Sequence, residues 1–408
     1  MKKIRIQIDQ LGPIVDQEIA LSQVMLFTGD SNLGKSYVNF LCYYLFSLST
    51  SDRLNSFLSN KFIGIDNEAK EMSVSIKTSD LRLWMEEDVK RFFTSFLAYP
   101  NVACNVHFYF DEAPEVLDIH IKEIESPDDN DTYISALLKI SDSLTYHPRL
   151  SKVYKRDDII RWVKYVMLEQ LTGEFIVRSS LMPPGRASLL SGSFTGQMGS
   201  SRMGMYELFL RDNDRINFMA SSRMATNDDM QFFLSRIKKL IGGEIVVGRD
   251  GIEFKLDNGQ SLPLYAAASS IKELSPILLW IQGTSTMSYE HICIEEPEAH
   301  CHPMMQYQLA DLLVSCVNRG VVMQITTHSD YFLTRINELI KLKQLRDTDE
   351  QRYNDYCTAY QHTRDLVLDK DIVGAYYFHY SLDKKRVEIT RQDLSEGIPF
   401  DSFSKISQ

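Results

Sequence analysis

The first 50 residues contain short segments in which apolar and polar residues alternate and segments that are almost entirely apolar. Apolar and polar residues alternate over positions 4–8, which is typical of a strand with one buried face, and residues 14–19 form a second candidate strand. Residues 24–27 are all apolar, as in a strand buried on both faces, and residues 37–48 are long enough for about three helical turns. The pattern predicts two half-buried strands, a central strand and a helix.

Helical periodicity dominates the middle of the chain. Three helices are predicted there, at residues 81–96, 133–144 and 157–171. Residues 183–204 are rich in Gly, Ser and Met and are predicted to form a loop. Strand patterns return at residue 243, and two hairpins are predicted, over residues 244–256 and 373–390.

Composition and charge narrow the class of protein. The chain has 408 residues, 44% of them hydrophobic, and a formal net charge of −11. An acidic chain has no overall attraction to DNA or to an anionic membrane, so a nucleic-acid site requires a local basic patch. The best candidate patch has six basic residues: Arg149, Lys152, Lys155, Arg156, Arg161 and Lys164. Two acidic residues, at 157 and 158, interrupt it, which favours an ordinary solvated helix face.

Cysteine usage and the distribution of apolar residues indicate the compartment. The six cysteines form no CxxC pair, which favours free thiols in a reducing environment. The N-terminus reads as a strand rather than a signal peptide. The longest apolar run, over residues 38–48, is too short to span a bilayer. We therefore expect a cytoplasmic protein without a membrane segment.

A phosphate-binding motif follows the central strand. Its eight residues fit the pattern GxxxxGK[ST] at every fixed position: Gly29, Asp30, Ser31, Asn32, Leu33, Gly34, Lys35 and Ser36. Glycines let the backbone curl so that several N–H groups face one phosphate, and the following helix directs its positive end at the anion. The lysine side chain reaches the outer phosphates, and the serine hydroxyl binds Mg²⁺. The motif predicts a nucleotide-binding site for ATP with Mg²⁺.

Two later strands end in polar residues that suit the same site. One apolar strand ends at Glu295 and Glu296, where the first carboxylate would complete the Mg²⁺ shell and the second would polarise the attacking water. Another ends at His328, which can donate a hydrogen bond to the γ-phosphate. The predicted catalytic residues are Glu296 and His328, and the predicted metal ligands are Ser36 and Glu295.

The order of these motifs resembles that of ABC-type ATPases of the SMC, RecF and OLD kind. The motifs are the phosphate loop, Ser-Ser-Ile-Lys-Glu-Leu over 269–274, Ile-Glu-Glu-Pro-Glu-Ala-His over 294–300 and Thr-Thr-His-Ser over 326–329. They are most similar to those of bacterial OLD-like AAA proteins, a group that includes ATPase subunits of the antiphage systems Septu and PARIS and retron-linked ATPases. The segment 181–186 is similar to an LPxxR element of that group.

The resemblance implies roles for single residues. It places Glu296 as the catalytic glutamate, His328 as the switch histidine and His302 at a position where relatives carry the aspartate of the D-loop. It also implies that Ser269 or Ser270 starts a signature helix and contacts the γ-phosphate of ATP held by a second subunit. A helix that begins with paired serines is an anion site on physical grounds alone.

The fold class expected from the resemblance is α/β. It would be a P-loop ABC-type ATPase head with a mixed sheet and a large, mainly helical insertion. The division expected along the chain is 1–50 for the N-terminal part of the ATPase core, 51–240 for the insertion that senses or binds partners, and 241–408 for the C-terminal part of the core.

Three functions are compatible with these motifs. The first is an ATPase of antiphage defence that self-associates as a dimer or higher oligomer, senses a phage protein or DNA, and controls a separate effector such as a nuclease or toxin. The second is a RecF-like ATPase of DNA repair that binds DNA or its ends. The third is a scaffold that uses ATP for assembly with little turnover. Glu296 argues against the third.

Overall fold

A nine-stranded sheet organises the parts of the chain that the computed structural model describes, namely residues 1–62, 69–140, 144–190, 204–222, 228–248, 251–284 and 286–398. The strands in these ranges are β1 (Ile4–Leu11), β2 (Ile14–Ala20), β3 (Val24–Gly29), β4 (Glu71–Lys77), β5 (Cys104–Phe110), β6 (Val116–Ile124), β7 (Tyr133–Ile140), β8 (Leu144–Tyr146), β9 (Arg149–Ser151), β10 (Arg178–Met182), β11 (Gly243–Gly248), β12 (Gly251–Leu256), β13 (Ser261–Pro263), β14 (Glu290–Glu295), β15 (Val322–Thr326), β16 (Val373–Ser381) and β17 (Arg386–Arg391). The helices are α1 (Lys35–Ser47), α2 (Asn55–Lys61), α3 (Thr78–Phe96), α4 (Lys155–Thr172), α5 (Arg186–Leu190), α6 (Gly204–Ser221), α7 (Asp228–Ile241), α8 (Ser269–Gly283), α9 (Pro303–Val317), α10 (Asp330–Thr348) and α11 (Glu350–Tyr360).

The central sheet is mixed. Its strand order is β10-β14-β15-β3-β16-β17-β2-β1-β5. The five strands from β10 to β16 run parallel to one another, whereas β1 pairs with β2 and with β5 in antiparallel register. Because parallel strands end at the same edge, the loops that follow β3, β10, β14 and β15 meet there. The expected α/β class with a mixed sheet is confirmed.

Both faces of the sheet are buried, and this explains the apolar character of β3. All six of its residues are buried. Val24 and Leu26 face a core built largely by α8, α9 and α10, whereas Met25 and Phe27 face a second core that includes α1, α3 and α4. Alternate residues of a strand point to opposite faces, so a strand between two cores has no polar side.

The segment 51–240 contributes strands as well as the expected helices, and the helices hold most of its residues in regular structure. Strands β4 to β10 lie within it, and both β5 and β10 belong to the central sheet. The predicted helix over residues 133–144 is wrong. That region forms β7, in which Ala136, Leu138 and Ile140 are buried with the period of two that a strand requires. The helices predicted at 81–96 and 157–171 are confirmed as α3 and α4.

Two predicted hairpins are confirmed by the strand pairing. Strands β11 and β12 are antiparallel, as are β16 and β17. Within the loop predicted over 183–204, residues 186–190 form the short helix α5 and Gly204 begins α6, while residues 191–203 lie outside the described ranges. Among the described helices, none has an apolar stretch long enough to cross a membrane.

A buried histidine links three strands inside the sheet. His291 of β14 has no exposed surface; its Nδ1 is 2.7 Å from the Ser179 hydroxyl of β10, and its Nε2 contacts the Gln324 side-chain oxygen of β15. The ring stacks on Phe46 with centroids 4.8 Å apart. Burial lowers the pKa of His291 to about 4, so the imidazole is neutral in the folded protein at neutral pH.

This buried imidazole predicts a loss of stability in mild acid. The unfolded chain takes up a proton at the ordinary histidine pKa of 6.5, whereas the folded chain does so only near pH 4. The free energy of unfolding should therefore fall as the pH drops from about 6.5 to about 4, by about 3 kcal/mol for this group. Denaturant unfolding at a series of pH values measures the slope.

The variant His291→Gln tests whether His291 causes this pH dependence of the free energy of unfolding. We expect it to be less stable at pH 7 and to show a shallower pH dependence than the parent between pH 6.5 and 4. His147 is exposed, and His147→Gln serves as the control that keeps the parent's dependence. A His291→Gln slope equal to that of the parent would contradict the assignment.

Candidate functional site

The loop between β3 and α1 has the backbone geometry of an anion cradle. Gly29, Asn32 and Gly34 have φ values of +117°, +63° and +92°, so the chain curls in the left-handed region and the α1 N-terminus faces the loop. A Cβ on Gly29 would lie 2.0 Å from the carbonyl oxygen of Phe378, because the loop runs directly beside β16. Only glycine is compatible with both the φ value and this approach.

Lys35 is folded back over the same loop. Its Nζ donates to the carbonyl oxygens of Gly29, at 3.1 Å, and Asp30, at 2.6 Å. Burial lowers the pKa of Lys35, while the charges of Glu295, Glu296 and Asp30 oppose this effect. The ammonium group is thus held in the curve of the loop, where it would meet a phosphate oxygen.

Glu295 lies at the end of β14 against the first turn of α1. Its two carboxylate oxygens accept hydrogen bonds of 2.5 Å from the Ser36 hydroxyl and from the Asn39 side-chain amide. The residue is 3% exposed, and burial raises the pKa of its carboxyl group against the lowering effect of these hydrogen bonds. A hydroxyl beside a carboxylate is an oxygen ligand set that suits a hard cation such as Mg²⁺. These two predicted ligands are in direct contact.

Asn39 was not predicted from the sequence. It is fully buried, and its side-chain oxygen has no hydrogen-bond partner in the described structure. The sequence does hold a signal, because Asn39 is a polar residue three positions after Ser36 within an apolar helix, and this spacing places both on one helix face.

Glu296 follows in an unusual backbone conformation. Its φ is +45°, which is uncommon for a residue with a side chain, and its N–H donates to the Thr326 carbonyl at 3.1 Å. The side chain is half-buried, next to the buried Glu295. Strained residues concentrate at functional sites, where neighbouring contacts hold them.

His328 is exposed beside the phosphate loop. Partial burial lowers its pKa first, the charge of Lys35 lowers it further, and the charges of Glu296 and Asp30 oppose the shift. His328 follows Thr327, whose N–H donates to the Phe27 carbonyl of β3 at 3.1 Å, so its backbone lies at the sheet edge from which the loop leaves. The structure therefore gathers both predicted catalytic residues at the edge that holds Lys35 and Ser36.

Glu298 fixes the position of the histidine loop. One of its carboxylate oxygens accepts from the Thr327 hydroxyl at 2.6 Å and from the His328 N–H at 2.9 Å. Its side chain is buried, and burial raises its pKa. In the sequence, Glu298 is the third acid of the run Glu-Glu-Pro-Glu. This signal is weak, because nothing in the run shows which acid has a buried side chain.

The predicted signature serines have no direct bond to the phosphate loop in the described structure. Ser269 and Ser270 begin α8, whose N-cap makes no side-chain hydrogen bond, and Ser269 is exposed while Ser270 is half-buried. Within the described ranges no hydrogen bond joins either serine to the loop 29–36. His302, at the predicted D-loop position, caps α9 by accepting from the Met304 N–H at 3.3 Å.

Comparison with known proteins supports an ATPase of the AAA type. A family model described as an AAA ATPase domain matches residues 207–333. The matched span runs from α6 into α10 and contains both serines of α8, the two acids at the end of β14 and His328, but not the phosphate loop. No curated protein matches the chain.

Several solved structures of SMC heads are similar over nearly the whole chain. The SMC head domain from Thermotoga maritima is 9% identical with a TM-score of 0.36, covering 96% of this chain and 100% of that one. An SMC head bound to the C-terminal winged-helix domain of ScpA is 12% identical with a TM-score of 0.40, covering 97% and 98%. An SMC head with an extended coiled coil, bound to the C-terminal domain of ScpA derived from Pyrococcus furiosus, is 10% identical with a TM-score of 0.40, covering 100% of both chains.

Because Gly29 lies so close to β16, we predict that one added methyl group at this position destabilises the fold strongly. Gly29→Ala should lower the midpoint of thermal unfolding strongly, because the new Cβ forces β3 and β16 apart at the phosphate loop. Gly259 is the matched control, with φ of +85° and no atom within 4 Å of the place that a Cβ would occupy. Gly259→Ala should cost only the left-handed strain of about 1–2 kcal/mol. Equal losses in the two variants would contradict the packing argument.

Proposed function

We propose that this chain binds ATP with Mg²⁺ and hydrolyses it at a site that two associated copies complete. The observation that carries the proposal is the contact between Ser36 and Glu295, which joins the phosphate loop to the strand end that bears Glu296. Ser269 and Ser270 begin α8 at an exposed helix N-terminus, and within the described ranges neither forms a hydrogen bond with that loop. One chain thus holds nearly all groups of the site. It also presents the N-terminus of α8, a candidate anion site that forms no hydrogen bond with the loop of the same chain.

Each group has a distinct part in binding. The N–H groups of the loop and the Lys35 ammonium neutralise the phosphate oxygens, and the α1 N-terminus adds its positive end. Ser36 and Glu295 would hold Mg²⁺, which supplies charge stabilisation to the outer phosphates. Because Lys35 and Glu295 are buried, their charges act with little screening by water.

Glu296 acts as the general base. Its carboxylate takes a proton from water as the water oxygen attacks the γ-phosphorus, and the bond between that phosphorus and the bridging oxygen of ADP breaks. His328 donates a hydrogen bond to the γ-phosphate, because a neutral imidazole carries one N–H donor. The fixed backbone at Glu296 keeps the base in place for this step.

Two copies would close over the nucleotide. The helix α8 of a second chain offers Ser269 or Ser270 to the γ-phosphate, so ATP binds both chains at once and favours their association. Release of the γ-phosphate removes the contact and loosens the pair. The oligomer would therefore switch between closed and open forms with each turnover.

The resemblance to ATPase subunits of antiphage systems supports a finer proposal. In this proposal the ATP-driven switch responds to a phage protein or DNA and releases a separate effector such as a nuclease or toxin. Purification of the chain together with the products of neighbouring genes tests it. A nuclease or toxin that leaves the complex on ATP turnover supports the role, whereas DNA degradation by the chain alone contradicts it.

The structure of the basic patch argues against the alternative function in DNA repair. Lys164 is buried and donates to the Ser51 carbonyl at 2.8 Å, and Lys155 forms a half-buried ion pair with Glu123. Arg161 pairs with Asp158 at 3.0 Å. Arg149 also donates to the Asp128 carbonyl at 3.0 Å, so at least four of the six basic residues are engaged within the chain, which leaves a weak surface for phosphate contacts.

Two substitutions separate binding from hydrolysis. Lys35→Ala should weaken ATP binding by about 100-fold, because the phosphates lose a buried cation. Glu296→Gln should bind ATP with parent affinity, lose turnover by about 100-fold or more, and accumulate as an oligomer with ATP. Titration of a fluorescent ATP analogue, phosphate release and light scattering measure the three quantities. Turnover of Glu296→Gln equal to the parent's would contradict the role of the base, whereas ATP binding without turnover by the parent itself would favour a scaffold.

A further inference from the structure

A buried arginine stands between the strand end that carries Glu296 and the helix that carries the serines. Arg186, the first residue of α5, has no exposed surface. Burial lowers its pKa, and the charges of Glu273 and Glu298 are the strongest influences that oppose this effect. Burial of a guanidinium destabilises the fold unless its N–H donors are hydrogen-bonded and its charge is balanced. The groups around Arg186 therefore determine whether it can be buried there.

The guanidinium binds the backbone of both acids at the end of β14. Nη1 donates to the carbonyl oxygen of Glu295 at 2.7 Å, and Nη2 donates to that of Glu296 at 3.2 Å. The Glu296 N–H is held by Thr326 on the opposite side. The left-handed backbone of Glu296 is therefore restrained by hydrogen bonds on both of its peptide groups.

The same side chain reaches α8. Its Nε donates to the carbonyl oxygen of Glu273 at 3.2 Å and lies 3.4 Å from the Glu273 carboxylate. Nη1 also donates to the carbonyl oxygens of Met182 and Pro183, at 3.3 and 2.9 Å, where β10 ends. One residue thus joins the end of β10, the end of β14 and the first turns of α8.

The charges around Arg186 are not fully paired by hydrogen bonds. One carboxylate oxygen of Glu273 and one of Glu298 are buried and lack hydrogen-bond partners in the described structure. Glu298 uses its other oxygen to hold the His328 loop. Arg186 supplies a positive charge to both acids, so its loss would leave two buried carboxylates uncompensated, one in α8 and one two residues after Glu296.

We propose that Arg186 is a positioning residue for hydrolysis, which fixes the backbone of Glu296 and ties it to α8. The inference rests on the proposed ATPase function. Because the N-terminus of α8 would contact ATP held by the second chain, Arg186 also connects that contact to the base of its own chain. Lysine at this position keeps the charge but cannot reproduce the planar set of donors that binds several carbonyls at once.

The test is a double-mutant cycle between Arg186→Lys and Glu296→Gln. We expect Arg186→Lys to lower kcat by about tenfold or more without changing ATP affinity, since a small misplacement of a catalytic group has effects of this size. In the Glu296→Gln background the same substitution should change the residual rate less than about twofold, because a residue that acts through Glu296 has nothing left to position.

A matched control uses the same two strands. Arg178 pairs with Glu290 at the opposite end of β10 and β14, and Arg178→Lys should leave kcat unchanged. If Arg186→Lys does not fold, Glu273→Gln takes its place in the cycle, with a smaller loss expected in the same direction. In that case too the loss must disappear in the Glu296→Gln background.

The outcomes distinguish the two proposals. Parent kcat in Arg186→Lys, or an equal fold-loss with and without Glu296, overturns the positioning role while the ATPase assignment stands. A loss of ATP affinity in Arg186→Lys at unchanged kcat overturns the positioning role as well. If the parent does not hydrolyse ATP, or if Glu296→Gln turns over like the parent, the proposed function fails and the positioning role fails with it.

Discussion

The parallel pairing of β10, β14, β15, β3 and β16 is the constraint on which the site depends. Its register sets Glu295 opposite Thr326, Thr326 opposite Phe27, and Phe378 opposite Gly29. Segments far apart in sequence therefore end in one row, and each strand end delivers its polar residues to the same edge of the sheet. A slip of one residue in any pair would turn the adjacent side chains to the opposite face.

The balance of buried charge is the second condition. Lys35, Glu295, Arg186, Glu273 and Glu298 are all buried, and each would be unstable there alone. Burial raises the pKa of Glu295 and of Glu298 and lowers that of Lys35 and of Arg186, so hydrogen bonds and opposite charges must offset the cost of burying each charged form. A bound triphosphate, as proposed, would act strongly on such a cluster, because charges interact with little screening in a region with little water.

The sequence predicted the phosphate loop and the strand ends because their patterns are local. The run of β3, the glycines and Lys35 stand within a dozen residues, so periodicity and motif are sufficient. The roles of Asn39, Glu298 and Arg186 depend on contacts between segments distant in sequence, and no local pattern reports which polar residue turns inward.

The middle of the chain shows the same limit. Residues Tyr133–Ile140 contain a run that fits a helix or a strand, and pairing with β6 decides in favour of the strand. Likewise, β5 and β10 belong to the central sheet although they lie within the segment expected to form an insertion. Long-range pairing, which the local sequence does not encode, determines both.

A mixture of two inactive variants tests most directly whether two chains complete each site. One chain carries Lys35→Ala and keeps its serines; the other carries Ser269→Glu and Ser270→Glu, whose carboxylates repel the γ-phosphate, and keeps its loop. In an equal mixture about half of the pairs contain both chains, and each such pair has one complete site of two, so turnover should recover to about a quarter of the parent rate. Turnover that stays at the sum of the separate variants, or full activity of the serine variant alone, would contradict a shared site.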